Sequence, residues 1–301
     1  MVFYRRHVRT NVSFSLIPKE HRCGDPYDPS DFDGEDVVSV DFRYSRDPRL
    51  RWYFDHHASA FQLAGDKEHF EADDSGRKFH DPDAPSCAGF LASVLASRFG
   101  FDASAHEELI HWAQVIDSAA FPDAHVPVLL TEPALQLMTF IEHNRDLAAV
   151  ATFAQDLVSM PLARHAQADY VRAVVDEQLL RHREDISMIR ARSRLHENVL
   201  VYELLDQPPR AYNKFIPYYN HPDARYVVGL SRGPDGRIKL NVGYNPWLPK
   251  EAREHNIARL CERFSGGGHA FVGGASFEPQ DEVQARTAQT WMAGVLRGGA
   301  A

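Results

Sequence analysis

Two short apolar runs, each ending in aspartate, give the first clear pattern along the chain. Val37-Val38-Ser39-Val40-Asp41, entered through the acidic turn Asp33-Gly34-Glu35-Asp36, and Arg51-Trp52-Tyr53-Phe54-Asp55 are rich in β-branched and aromatic residues. They are predicted to be buried strands. Pro85-Ser86 then opens a helical pattern, with Ser86 as its cap, Phe90, Leu91, Val94 and Leu95 on one face, and Gly100 closing it. A second helix is predicted from about Ala103 to Ile116, ending near Asp117. Strand, strand, helix is the rhythm of an open α/β sheet.

From about Glu132 to Arg194 no strand-like run occurs, and Ala, Leu, Glu and Arg recur at helical spacing. Two or three helices are expected here, the last from Ala166 to Arg194, charged on most faces as a helix bridging two domains would be. At Val199 the pattern changes to Val199-Leu200-Val201-Tyr202, Tyr226-Val227-Val228-Gly229-Leu230 and Ile238-Lys239-Leu240-Asn241-Val242. Gly233-Pro234-Asp235-Gly236 turns the last two into a hairpin. A helix from about Lys250 to Phe264, a glycine-rich turn, and a final strand and helix follow. The fold class expected is therefore α/β in two domains: an N-terminal, mostly parallel sheet flanked by helices over residues 1–160, a long helical linker over 161–195, and a smaller α/β domain over 196–301. Gly298-Gly299-Ala300-Ala301 is expected to fray.

Length agrees, since 301 residues correspond to two domains at roughly 150 each. The 33 basic and 42 acidic residues leave a net charge of −9, which argues against a strongly basic nucleic-acid scaffold. No stretch approaches the roughly 18 apolar residues of a membrane span, and Met1-Val2-Phe3-Tyr4-Arg5-Arg6 lacks the apolar core of a signal peptide. A cytoplasmic protein without a membrane partner is expected. Cys23, Cys87 and Cys261 are far apart, in no C-x-x-C pairing, and are read as reduced packing residues. Histidine is the compositional outlier, with 16 in the chain, so the placement of histidines beside aspartates carries the functional reading.

Aspartates at the carboxyl ends of neighbouring parallel strands converge on the crevice where open α/β sheets bind ligands, and Asp41 and Asp55 are placed for that. His56 and His57 follow Asp55 directly, so one strand end offers a carboxylate and two imidazoles, a set that suits a divalent transition metal such as manganese. Asp117 adds a further acid after an apolar helix. An aspartate after a strand is, taken alone, more often a turn or cap residue, whereas adjacent histidines have little packing value there.

The second signal is Ser265-Gly266-Gly267-Gly268-His269-Ala270-Phe271-Val272-Gly273-Gly274. Successive glycines let backbone N–H groups curl around an anion, so the segment reads as a phosphate cradle or as a flexible loop. It lacks the Lys and Ser/Thr of a nucleotide P-loop. Asn245, held extended before Pro246, is a candidate donor to a phosphate or sugar. Tyr244, Trp247 and Phe271 are either base-stacking or core aromatics. Arg210, Lys214, Arg232 and Lys239 form either a local basic wall or an ordinary solvated face.

Asp55-His56-His57 taken with the distant Gly266-Gly267-Gly268-His269 resembles the DHH phosphoesterase superfamily with its DHH-associated C-terminal domain. Val37-Val38-Ser39-Val40-Asp41 is similar to that family's second aspartate motif and Ile116-Asp117-Ser118-Ala119 to its fourth, in the family's order over nearly the whole chain. The resemblance implies that Asp41 bridges two metal ions, that His56 and Asp117 ligate one of them, and that His57 faces the scissile phosphate. Asp55, counted with His57 among the catalytic residues, would orient its neighbours. Gly266, Gly267, Gly268 and His269, with Asn245, would bind substrate across an interdomain cleft. It further implies Mn2+, alternatively Mg2+ or Co2+, and hydrolysis of phosphodiester bonds in a short single-stranded oligonucleotide or small nucleotide by a metal-activated water, in the manner of an oligoribonuclease. Two alternatives stay open: a polyphosphate or pyrophosphate hydrolase, and a non-catalytic nucleotide-binding or regulatory protein.

The family's first motif, His-x-x-x-Asp-x-Asp, has no counterpart before Asp41. His7-Val8-Arg9-Thr10-Asn11-Val12-Ser13 has the histidine but neutral Asn and Ser where carboxylates belong, which are poorer ligands for a hard cation. The expectation is that the reading frame starts upstream of Met1, with Val2-Phe3-Tyr4 as the family's second strand; loss of the first metal site is the competing explanation. Either would impair this chain and leave a strand edge unpaired, open to dimerisation.

Overall fold

A computed structural model describes residues 1–19, 25–144 and 146–298; Cys23 and residues 299–301 lie outside them. In chain order the strands are β1 (Val37–Val40), β2 (Leu50–Asp55) and β3 (Lys78–His80), then β4 (Arg194–His196), β5 (Val199–Leu204), β6 (Tyr226–Arg232), β7 (Ile238–Tyr244), β8 (Gly267–Gly268) and β9 (Val272–Phe277). The helices are α1 (Asp66–Glu71), α2 (Cys87–Phe99), α3 (Glu107–Asp117), α4 (His125–Leu129), α5 (Pro133–His143), α6 (Leu147–Asp156), α7 (Leu162–His165), α8 (Asp169–Arg192), α9 (Ile216–Asn220), α10 (Ile257–Glu262) and α11 (Glu282–Leu296). Two compact α/β units result: residues 1–121 with 133–174, and residues 122–132 with 175–298, so that the long helix α8 runs from one into the other.

In the first unit β1, β2 and β3 form a parallel sheet in that order. The central strand β2 is buried on both faces, which is why Trp52-Tyr53-Phe54 is a continuous apolar run. α2 covers one face through Leu95 against Trp52 and Phe54, and its ends follow local rules. Ser86 accepts a hydrogen bond from the Gly89 N–H at 3.0 Å, and Gly100 ends the helix in the left-handed region at φ 65°.

The N-terminus departs from expectation. Val2-Phe3-Tyr4 is helical, continuing as a π-turn over Tyr4–Val8, and Phe3 packs edge-on to Trp52 at 5.8 Å. A strand here needs a sheet edge as partner, and burial of Phe3 and Tyr4 in the aromatic core wins instead. β1 consequently has a single partner strand among the described residues, and Val38 and Val40 are 42 % and 49 % exposed.

The described residues of 132–194 form four helices rather than two or three, because Pro161 and short polar turns interrupt the periodicity. Their packing contains a buried chain of polar groups. The Nε2 of His165 lies 2.5 Å from the Tyr170 hydroxyl, which donates to Asp156 at 3.0 Å, while the buried Nδ1 has no hydrogen-bond partner. Burial lowers the His165 pKa, with Asp156 opposing. The unfolded chain therefore takes up a proton near pH 6.5 that the folded chain resists, and stability is lost as pH falls through that value. The melting temperature is expected to decline between about pH 8 and about pH 5.5, and calorimetry of His165→Leu over that range should show a shallower decline.

The second unit is built on a six-stranded sheet ordered β4-β5-β6-β7-β9-β8, antiparallel except for β5 with β6. Alternate residues of β5 face opposite ways: Val199 joins a core with Ile257, Cys261, Ala288 and Met292 from α10 and α11, while Leu200 and Leu204 join Val128, Ile189 and Ile216. The single helix expected over Lys250–Phe264 is split into a 3-10 turn (Lys250–Ala252) and α10, because Arg253 is extended and the Asn256 side chain caps a new start. No described helix is long and apolar enough to cross a membrane.

Candidate metal centre

Parallel pairing places the carboxyl ends of β1, β2 and β3 side by side. Asp41 follows β1 directly, its N–H donating to the Phe54 carbonyl at 2.9 Å before the chain turns away at φ 58°, a left-handed conformation that aspartate tolerates better than most residues. Asp55 ends β2 and is fully buried. His56 and His57 follow, and Asp117, at the end of α3, reaches the same place from 60 residues further along the chain.

The Nδ1 of His56 donates to the Ala84 carbonyl at 2.9 Å, which directs the Nε2 lone pair at the carboxylates of Asp117 (3.2 Å) and Asp41 (3.4 Å). That Nε2 is buried and has no hydrogen-bond partner. A lone pair facing two carboxylates is repulsive unless a cation lies between them. His57 is held alike: its Nδ1 lies 2.7 Å from Asp55, whose other oxygen accepts from the Tyr53 hydroxyl at 3.1 Å. An imidazole tied at Nδ1 by a carboxylate or carbonyl presents Nε2 in the orientation of a metal-ligating histidine.

Ligand atoms of Asp41, His56 and His57 lie within 4.8 Å of one another, the one group of three or more such residues among the described residues. The donor set fits a divalent cation. Burial pushes the Asp41 pKa up, with Asp117 adding to it and His57 opposing. Burial works against a charged His57, but the Asp55 hydrogen bond and the charges of Asp55, Asp41 and Asp117 outweigh it and raise its pKa. Asp55→Asn keeps the shape but removes the charge that orients His57. It is expected to weaken Mn2+ binding by about 10- to 100-fold, as read by calorimetry.

Three supporting groups escape sequence reading. Tyr53 has a detectable signal, since residues two apart on a strand share a face. His80 braces the His57 carbonyl through Nε2 at 2.8 Å, and Ala84 offers only its backbone. Neither has a sequence signature, because β3 is three residues long. His7 stacks on Phe3 at 5.2 Å.

In the second unit the glycine segment forms the narrow β8–β9 ribbon. A methyl at Gly266 would meet the Gly274 carbonyl oxygen, and one at Gly268, where φ is 141°, the Val272 carbonyl oxygen. These glycines serve close backbone approach, and two N–H groups are already engaged: Gly266 with the Cys261 carbonyl at 3.0 Å and His269 with that of Val272 at 2.7 Å. Gly267 alone of the three faces open space, and His269 is exposed. The Asn245 amide is buried, donating to the carbonyls of Pro222 and Ala224 and accepting from the Trp247 N–H. Arg210, Arg232 and Lys239 pair with Asp185, Glu282 and Asp235, and Lys214 lies over Phe215.

Neither a family model nor a curated protein sequence matches the chain. Solved structures do. The pGpG-specific phosphodiesterase PggH from Vibrio cholerae superposes with a TM-score of 0.61 at 18 % identity, covering 90 % of each chain. An exopolyphosphatase-related protein from Bacteroides fragilis gives a TM-score of 0.48 at 15 % identity over 88 % of this chain and 74 % of its own. The chain shares the fold of that phosphodiesterase and carries a candidate divalent-metal site at Asp41, His56 and His57.

Proposed function

We propose that the protein is a divalent-metal-dependent phosphoesterase that hydrolyses phosphodiester bonds of small nucleotides or short oligonucleotides. The observation that carries this reading is the buried, unpartnered Nε2 of His56 aimed at Asp41 and Asp117. Asp41, His56 and Asp117 would hold the cation, with His57 beside them, Asp55 fixing the His57 ring. A bound divalent ion supplies Lewis acidity and lowers the pKa of water. His57, its ring fixed by Asp55, would face the negative charge that develops on the scissile phosphate. His269 and the open side of Gly267 would contact the substrate phosphate.

Manganese suits this nitrogen and oxygen donor set, with magnesium and cobalt as alternatives. The likeness of the fold to a pGpG phosphodiesterase makes the 5′-phosphorylated dinucleotide pGpG the first substrate to try. The test is release of mononucleotide from pGpG with Mn2+, against the same assay in EDTA. Metal-dependent product from the wild type and none from His56→Ala supports the reading. Nucleotide binding without hydrolysis would reassign the protein to the non-catalytic class.

A further inference from the structure

Of the three aromatics that the sequence places near the glycine segment, the structure buries Tyr244 in the sheet and packs Trp247 against Phe215 and Tyr218. Phe271 is different. It sits in the turn between β8 and β9, 39 % exposed, beside Val272 at 49 %. Its backbone is fixed by the Tyr244 N–H donating to its carbonyl at 2.8 Å, and the adjoining Ala270 and His269 carbonyls accept from the Ile257 and Ala258 N–H groups. An exposed aromatic on so constrained a backbone loses little freedom when something stacks on it.

The ring is also electrostatically prepared. The Arg253 guanidinium lies over it with 4.0 Å between Cζ and the ring centroid, and the Lys250 ammonium is 6.0 Å away. Arg253 has an Nη1 that is buried and without a hydrogen-bond acceptor. The nearby Glu254 is paired with Arg225. A guanidinium against a ring that is itself partly exposed makes a flat, positively polarised surface, the combination that stacks a nucleobase while drawing in its phosphate.

We infer that Phe271, backed by Arg253, is a nucleobase-stacking platform next to the Gly266–His269 segment, and that it makes the second unit selective for nucleotides over inorganic phosphate chains. The inference rests on the proposed function for the identity of the substrate and adds what recognises it. Stacking on one aromatic ring is worth about ten-fold in affinity and is tolerant of base identity. Pyrophosphate has no base, so its binding is indifferent to the ring.

Calorimetric titration of the full chain in EDTA, where no turnover depletes the ligand, separates the cases. The wild type, Phe271→Leu and Phe271→Trp are each titrated with pGpG and with inorganic pyrophosphate, thermal melts confirming that all three fold. The expected result is pGpG binding about ten-fold weaker in Phe271→Leu, restored in Phe271→Trp, and pyrophosphate affinity unchanged throughout. Equal pGpG affinity in wild type and Phe271→Leu, including the case in which neither binds, overturns the platform. Manganese-dependent hydrolysis is scored in parallel. Turnover that persists alongside that equality leaves the hydrolase reading standing, whereas Phe271-dependent binding without turnover supports the platform and removes the hydrolase reading.

Discussion

His56→Ala is expected to abolish manganese-dependent hydrolysis, lowering turnover by about a thousand-fold or more, while barely changing the stability of the metal-free protein. The asymmetry follows from the site. His56 makes one hydrogen bond, Nδ1 to the Ala84 carbonyl, and its loss costs about 1 kcal/mol. Removing its Nε2 also relieves a lone pair that faces Asp41 and Asp117. With Mn2+ present the balance reverses. A ligand at 100 times its dissociation constant stabilises the folded state by about 2.7 kcal/mol, so the wild type should melt several degrees higher with Mn2+. His56→Ala should show no such rise. Differential scanning calorimetry with and without Mn2+, beside the hydrolysis assay, decides it: an unchanged metal-dependent rise in the variant would place the cation elsewhere.

Gly266→Ala and Gly267→Ala should behave oppositely although they are neighbours. A methyl at Gly266 runs into the Gly274 carbonyl and the Ala275 side chain across the β8–β9 ribbon, backbone that cannot swing aside. Overpacking of this kind costs roughly 1–3 kcal/mol, and the melting temperature of Gly266→Ala should fall by about 5–10 °C. A methyl at Gly267 enters open space at an ordinary φ, so Gly267→Ala should melt with the wild type. Its effect should fall on substrate: a methyl on the open side of the segment crowds an approaching phosphate and raises KM by about ten-fold. Thermal melts and initial rates on both variants separate the glycines that shape the ribbon from the one proposed to meet substrate. Were Gly267→Ala kinetically silent, the glycine segment would be a packing device alone, with His269 left as its contact.

Local rules made several elements legible. The strands before Asp41 and Asp55, the Ser86 cap with its Gly100 stop, and the hairpin turning at Gly233–Gly236 follow from side-chain shape, capping chemistry and turn residues, all set within a few positions. The adjacency of Asp55, His56 and His57 is covalent, so half of the candidate metal centre is visible as a string of letters. The N-terminal residues show where such rules stop. Val2-Phe3-Tyr4 has strand composition, yet a strand exists only if an edge is there to pair with, and the aromatic core around Trp52 and Phe101 takes these residues as a helix.

What the tertiary structure alone decided is which distant groups meet. Parallel register sets Val40 against Phe54 and Asp55 against His80, so Asp41, the Asp55–His57 turn and the His80 brace share one sheet end. The packing of α3 against α2 brings Asp117 to within 3.2 Å of His56. No periodicity encodes these meetings, since register and helix docking are fixed by complementary packing between segments far apart in sequence. The same holds for the glycines: their presence is written in the chain, but that Gly266 yields to a carbonyl and Gly267 to open space exists only once β8 lies against β9. Sequence determines the chemistry each residue can offer, and the non-local contacts of the fold determine which of those offers face one another.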